Sequence, residues 1–354
     1  MSALDLVRPD LAGIPNYLAC STKEKIRLHI NESPWKPLEA YELPLNRYPD
    51  IEPQLSLEKE LSKFYQVAPC ELLLTRGADE GIDFLMRLFL SPGRSSMMQF
   101  PPTFLMYAFY ARLQQASIIS CPLEGPDFHF NRERLLELWE PHCKMILLCR
   151  PNNPTGNLLS LETIASLCEE FADRSIIVVD EAYIEFANTQ SATTLIHRFE
   201  NLFVLRTLSK AHGLAGLRLG CVIGSQAMIE VLRTIAPPFA FSSLVLEAAL
   251  SAMKHPEWVE GTVKNIIHYR EELILCLRNF SWVEHVFPSK ANFILIKTSF
   301  AKPLYAWLED HHILVRHFAG NPVLQDMLRI TVGTAAENEL LLAVLHSFHT
   351  PDHN

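Results

Sequence analysis

The chain has 354 residues, 49% hydrophobic and 20% charged, with 31 basic against 40 acidic side chains and a formal net charge of -9. That composition can build a large buried core, and 13 glycines are too few for Gly-rich linkers or collagen-like repeats. The acidic balance, without a basic run, argues against nucleic acid or an anionic membrane held by bulk charge, and points to a small-molecule enzyme.

The first 45 residues are rich in proline (Pro9, Pro15, Pro34, Pro37, Pro44) and weakly periodic, as in an arm lying over other structure. MSALDLVRPD lacks the basic end and apolar core of a signal peptide, and no apolar run approaches the roughly 20 residues of a membrane span, so a cytoplasmic location is expected. The segment 75–81, TRGADEG, leads into an apolar helical run; a helix start of this kind offers free N–H groups and the positive end of the helix dipole to an anion. Runs at 96–100, 145–149, 175–180, 201–208 and 218–224 read as buried strands. Between two of them Ile164, Leu167, Cys168 and Phe171 fall at the spacing of an amphipathic helix. Alternation of this type predicts an α/β domain with a mostly parallel sheet covered on both faces, whose ligands sit at the carboxyl ends of the strands. Beyond about residue 245 the pattern becomes a smaller α+β unit: a long helix over 257–280, strands in NFILIKT and LRITVG, and a last helix opened by a Thr334/Glu337 capping box. The expected division is an arm over 1–45, a large domain over 46–245 and a small domain over 246–354.

The eight cysteines (Cys20, Cys70, Cys121, Cys143, Cys149, Cys168, Cys221, Cys276) contain no CxxC and read as reduced core residues. The 14 histidines show no metal-ligand spacing, so no metal is expected.

Chemistry gathers at the strand ends. The run SIIVVD closes on Asp180, followed by Glu181 and Tyr183; the next strand runs into Thr207, Ser209 and Lys210, with Arg218 beyond. A lysine, a carboxylate, a phenol, hydroxyls and an arginine on adjacent strand ends are what a pyridoxal phosphate site requires. The amine condenses with the aldehyde, the acid keeps the pyridine nitrogen protonated, and the hydroxyls and arginine hold the phosphate. Upstream, Asn152-Asn153-Pro154-Thr155-Gly156 is a turn sequence that also places an amide at a strand end.

The whole set resembles the fold type I pyridoxal-phosphate aminotransferases. LNRYPD (45–50), RGADEGID (76–83), PPTF.MY (101–107), CRPNNPTGN (149–157), VVDEAY (178–183), LRTLSKAHGLAGLRLG (205–220), SKANF (289–293) and LRITVGT (328–334) resemble in particular the histidinol-phosphate aminotransferase family. The resemblance implies that Lys210 is the Schiff-base lysine and later the proton-moving base, that Asp180 partners the pyridinium, and that Asn153 and Tyr183 bond the ring oxygen. It implies a phosphate site from the Ala78 and Asp79 amides, Thr207, Ser209 and Arg218, with Tyr48 reaching in from the neighbouring subunit of a homodimer. Phe104 would stack on the cofactor ring, Arg329 would clamp the α-carboxylate of glutamate, and Arg316 would lie near the distal anion of the substrate. Asn31, in the Asn31-Glu32 motif that resembles the family's Asn-Glu-Asn-Pro, would bind that substrate, and Tyr17 would close over it.

Three positions depart from the family pattern. Phe104 replaces a common tyrosine, Phe239 and Ala240 occupy a stretch that often reads Pro-Tyr-Asn-Val-Asn, and Ser33 replaces an asparagine. Loss of two phenols predicts a more apolar pocket. The implied reaction moves an amino group between glutamate and imidazole acetol phosphate, giving histidinol phosphate and 2-oxoglutarate, in histidine biosynthesis. An aromatic aminotransferase and a phosphothreonine-type decarboxylase on the same scaffold are the related readings. A ligand-sensing module of a DNA-binding regulator is disfavoured because the enzyme motifs occupy the chain, and no GxxxxGK[ST] phosphate loop is present.

Overall fold

The computed structural model describes residues 3–9 and 47–349. Tyr17, Asn31, Glu32, Ser33 and Cys20, with most of the arm, lie outside them.

A seven-stranded sheet has the order β1 (Leu72–Thr75), β7 (Gly220–Gly224), β6 (Leu202–Thr207), β5 (Ile176–Asp180), β4 (Cys143–Cys149), β2 (Ser96–Gln99), β3 (Ser117–Ser120). The strands from β6 to β3 are parallel; β7 runs antiparallel to both β6 and β1. Every residue of β5 and β6 is buried because both faces are covered. Ile177, Val179, Leu202 and Val204 face one core, with α1 (Ile51–Tyr65), α4 (Arg132–Leu138), α5 (Leu161–Glu170) and α7 (Ser243–Ala252). Ile176, Val178, Phe203 and Leu205 alternate into the other, with α2 (Gly77–Phe89), α3 (Met106–Leu113) and α6 (Gln226–Arg233). The amphipathic spacing read at 164–171 is α5, in which Ile164, Leu167 and Cys168 are buried and Phe171 caps the end.

A second, antiparallel sheet has the order β10 (Arg316–His317), β11 (Met327–Thr331), β9 (Phe293–Lys297), β8 (His285–Val286). Its core joins α8 (Pro256–Leu277), α9 (Ala301–Asp310) and α10 (Ala335–His346). The capping box at the start of α10 is formed: the Glu337 N–H donates to Thr334 Oγ1, and the Thr334 N–H donates to Glu337 Oε2. On the other face of this sheet Phe293 meets Tyr183 edge-on, with centroids 5.2 Å apart, which brings β9 and β11 against the ends of the large sheet.

The reading of the cysteines as core residues is corrected at three positions. Cys121, Cys143, Cys168 and Cys221 are buried, but Cys149 and Cys276 are half-buried, and Cys70 is exposed because it falls in the short turn Pro69–Glu71 ahead of β1. Among the described residues all cysteines are free thiols, and no group of His, Cys, Asp and Glu has the arrangement of a metal site. No helix among them is long and apolar enough to cross a membrane.

Candidate active site

Parallel pairing in register brings Cys149 beside Asp180 and Asp180 beside Leu205, so β4, β5 and β6 all finish at one edge. A pocket opens there, lined by Ala78, Asp79, Phe104, Cys149, Asn153, Asp180, Ala182, Tyr183, Thr207, Ser209, Lys210 and Arg218. All the positions assigned to one cofactor site are present except Tyr48. That residue is 50% exposed and stacks on Phe239, with ring centroids 4.8 Å apart, outside the lining of this pocket. Phe239 is likewise not among the lining residues, so only Phe104 of the two noted phenylalanines makes the pocket more apolar.

The floor is Asp180, 4% exposed. Its Oδ2 accepts from the Tyr107 hydroxyl at 2.7 Å and its Oδ1 from the Ala182 N–H at 3.0 Å, and among the described residues it forms no ion pair. Burial raises its pKa to about 6 against the pull of those two donors, with Asp79 and Glu181 adding to the rise. Lys210 is exposed, yet the pocket walls desolvate its ammonium; that effect comes first, followed by the charges of Arg329 and Arg218, and the pKa falls below that of an ordinary lysine.

One wall is a chain of contacts. Arg329 Nη1 donates to Asn153 Oδ1, and Asn153 Nδ2 lies 3.4 Å from Tyr183 Oη. Burial, first among the causes, lowers the pKa of Arg329; nearby Tyr183 opposes this, and Arg316 adds to it. The buried Arg329 Nε has no partner. Arg316 is exposed on β10 and does not line the pocket itself.

The opposite wall is the start of α2 at Gly77, which places Ala78 and Asp79 in the first turn with backbone donors unclaimed by the helix. Gly77 has φ +75°, and a Cβ there would lie 2.7 Å from Arg218 Nη2. Gly220 is equally constrained: a Cβ would meet Arg206 O and Gly77 C at 2.7 Å. These glycines let the guanidinium and β7 close on the helix end. Arg218 Nη2 pairs with Asp79 Oδ2 at 3.3 Å, and Nη1 reaches Ser209 Oγ at 3.4 Å. Thr207 Oγ1 accepts from the Ser209 N–H at 3.1 Å.

The donor set fits pyridoxal phosphate. A buried acid without a cation suits a protonated ring nitrogen, a perturbed lysine suits an aldehyde, and an arginine over a helix start suits a phosphate. Sequence reading left Tyr107, Cys149 and Ala182 without a role. The signal for Tyr107 was its place three residues after Phe104 in the same motif; Phe104 precedes α3 and Tyr107 lies in its first turn, and the two rings meet edge-on. The Cys149 Sγ lies 3.4 Å from Pro151 O, and burial pushes its thiol well above the usual range.

Residues 24–345 match the family described as aminotransferase class I and II. Histidinol-phosphate aminotransferase 1 of Legionella pneumophila strain Philadelphia 1 is 48% identical over 350 residues, 99% of this chain and 96% of its own. Histidinol-phosphate aminotransferase of Flavobacterium johnsoniae is 37% identical, covering 92% and 90%. The crystal structure of histidinol-phosphate aminotransferase from Sinorhizobium meliloti in complex with pyridoxal-5'-phosphate superposes with a TM-score of 0.77 at 22% identity, covering 85% of this chain and 83% of that one, a likeness of fold. The chain belongs to the class I and II aminotransferases and, within them, to the histidinol-phosphate aminotransferase family.

Proposed function

We propose that this chain is a pyridoxal-phosphate aminotransferase that moves the amino group reversibly between L-glutamate and imidazole acetol phosphate, yielding 2-oxoglutarate and L-histidinol phosphate in histidine biosynthesis. The observation that carries the reading is the junction of Lys210, Asp180, Asn153, Tyr183 and Arg218 around one pocket with Arg329 bonded to its wall, in a chain so closely related to enzymes of that name.

When bound, the cofactor supplies an aldehyde that accepts the amino group and a cationic ring that draws electrons from the substrate Cα. The protein does the rest. Lys210, its ammonium destabilised by burial and by two arginines, gives up its proton readily and serves as the base at Cα. Asp180 supplies a negative charge at the ring nitrogen, while Asn153 and Tyr183 offer hydrogen-bond donors to the ring oxygen. Ala78 and Asp79 N–H groups, Thr207, Ser209 and Arg218 hold the phosphate, and Phe104 covers the ring face. Arg329, with its unpartnered Nε, takes the substrate carboxylate, and a planar guanidinium suits it better than an ammonium would. Arg316 takes the distal anion, and Asn31 and Tyr17 complete the substrate side.

The working unit is a homodimer in which Tyr48 reaches the phosphate of the other subunit; its place outside its own pocket supports this. An arm over 1–45, a cofactor domain over 46–245 and a small domain over 246–354 remain the proposed division, and the cytoplasm the proposed location.

The test is kcat/KM for histidinol phosphate against phenylalanine with 2-oxoglutarate as acceptor. A clear preference for histidinol phosphate is expected. A preference for phenylalanine would overturn the substrate, and a protein that stays colourless with added pyridoxal phosphate would overturn the whole reading.

A further inference from the structure

We propose that Tyr107 is a positioning residue of this reaction, holding the Asp180 carboxylate ionised and aimed at the ring nitrogen of the cofactor. The proposal rests on the reading above and adds a part to it.

Tyr107 is 0% exposed and sits on α3 within the apolar core of the large sheet. A phenol buried there costs desolvation that phenylalanine would avoid at nearly the same volume, so its hydroxyl needs a reason. The reason on view is the 2.7 Å bond to Asp180 Oδ2. With the Ala182 N–H on Oδ1, each carboxylate oxygen has one donor, and the two come from different elements, which sets the plane of the group. Phe104 meets the Tyr107 ring edge-on, with centroids 5.5 Å apart and planes at 83°, so a wall of the pocket also locks the phenol in place.

The groups facing Asp180 are Tyr107 from α3, Cys149 from β4, Asp79 from α2, Glu181 just past the end of β5, and Tyr183 and Lys210 in the pocket. Burial, Asp79 and Glu181 all favour the protonated acid; the Tyr107 hydroxyl and the Ala182 N–H oppose them. An acid that stays near the edge of ionisation at neutral pH depends on each donor it keeps. Protonated, it can no longer stabilise a proton on the ring nitrogen.

The test titrates apoprotein with pyridoxal phosphate from about pH 5.5 to about pH 8.5, a span that brackets carboxyl ionisation in this pocket. Tyr107→Phe should weaken cofactor binding about tenfold at neutral pH, as expected for loss of a hydrogen bond to a charged group, and the loss of affinity on the acid side should move about one unit upward. In an Asp180→Asn background the same change should add nothing. Unchanged affinity and midpoint, or an equal loss in the Asp180→Asn background, would overturn the proposal. If Tyr107→Phe fails to fold, 3,5-difluorotyrosine placed at 107 keeps the ring and strengthens the donor; it should move the midpoint downward, and an unmoved midpoint would overturn the proposal. A wild-type chain that binds no pyridoxal phosphate would instead refute the aminotransferase reading.

Discussion

Arg316 and Arg329 stand directly opposite each other on the antiparallel pair β10 and β11, so two guanidinium groups share one face of the small sheet. Like charges at such a register repel, and removing one should relieve about 0.5 kcal/mol in the ligand-free protein. Arg316→Gln should therefore melt slightly higher without ligand while losing about tenfold in kcat/KM for histidinol phosphate, the range for losing a charged hydrogen bond. Calorimetry and steady-state kinetics check the pair of effects, and lowered stability with unchanged kinetics would make Arg316 an ordinary surface residue.

Asp180 gives a prediction whose sign differs between the empty and loaded protein. Its pKa rises from 3.8 to about 6, so in apoprotein its contribution to stability is fully present below about pH 4 and is lost as pH climbs through about 6. Apo Asp180→Asn should thus equal wild type in acid and exceed it at pH 8 by an amount on the order of 2 to 3 kcal/mol. With pyridoxal phosphate bound the order should reverse, because the carboxylate then has a cation to face. Denaturant melts at two pH values, with and without cofactor, read this directly.

These two cases show what sequence could and could not reveal. The central strands and α5 were legible because an apolar run or a helical spacing repeats far enough to declare itself. β1 and β3 were not: Leu72, Leu73 and Leu74 suit a helix as well as a strand, and β3, Ser-Ile-Ile-Ser at the sheet edge, has no fully buried face. The site motifs were legible because strand ends are local. The Tyr107–Asp180 bond joins residues 73 positions apart, and only the packing of α3 on the sheet creates it. The arrangement of Arg316 against Arg329 likewise depends on a register that a two-residue strand cannot announce.

Mixing separates a shared site from a self-contained one. Tyr48→Ala and Lys210→Ala homodimers should each be nearly inactive, yet unfolding and refolding them together should restore about a quarter of wild-type activity, since half the dimers would be hybrids with one intact site each. No recovery would place Tyr48 outside the neighbouring site.

Glu181 should prove structural although it adjoins Asp180. It is 0% exposed and accepts from Arg150 Nη1 at 2.6 Å, the Ala192 N–H at 2.8 Å and the Ser191 hydroxyl, with Arg206 Nη1 3.6 Å away. Glu181→Gln leaves the buried Arg150 short of a countercharge, whereas Arg206 keeps Glu185 at 2.6 Å, and should cost about 3 kcal/mol or more, seen as a lower denaturation midpoint. In the residual folded protein the acid-side loss of cofactor affinity should move slightly downward, because the Glu181 charge adds to the rise of the Asp180 pKa, a shift opposite in sign to that of Tyr107→Phe.

The reversed direction of β7 has a consequence for Lys210, the proposed Schiff-base lysine. Thr207 and Gly220 are paired across β6 and β7, and the Leu208 N–H bonds Leu219 O at 3.0 Å, so the segment from Ser209 to Arg218 leaves and re-enters the sheet through a single rung. Lys210 and Arg218 are thus carried on one tether clamped at its base. A phosphate seated at Arg218 would meet the lysine at an effective concentration set by that tether, far above any attainable in free solution. Strand polarity, a property of the backbone alone, would in this way make cofactor capture and amine attack parts of one encounter.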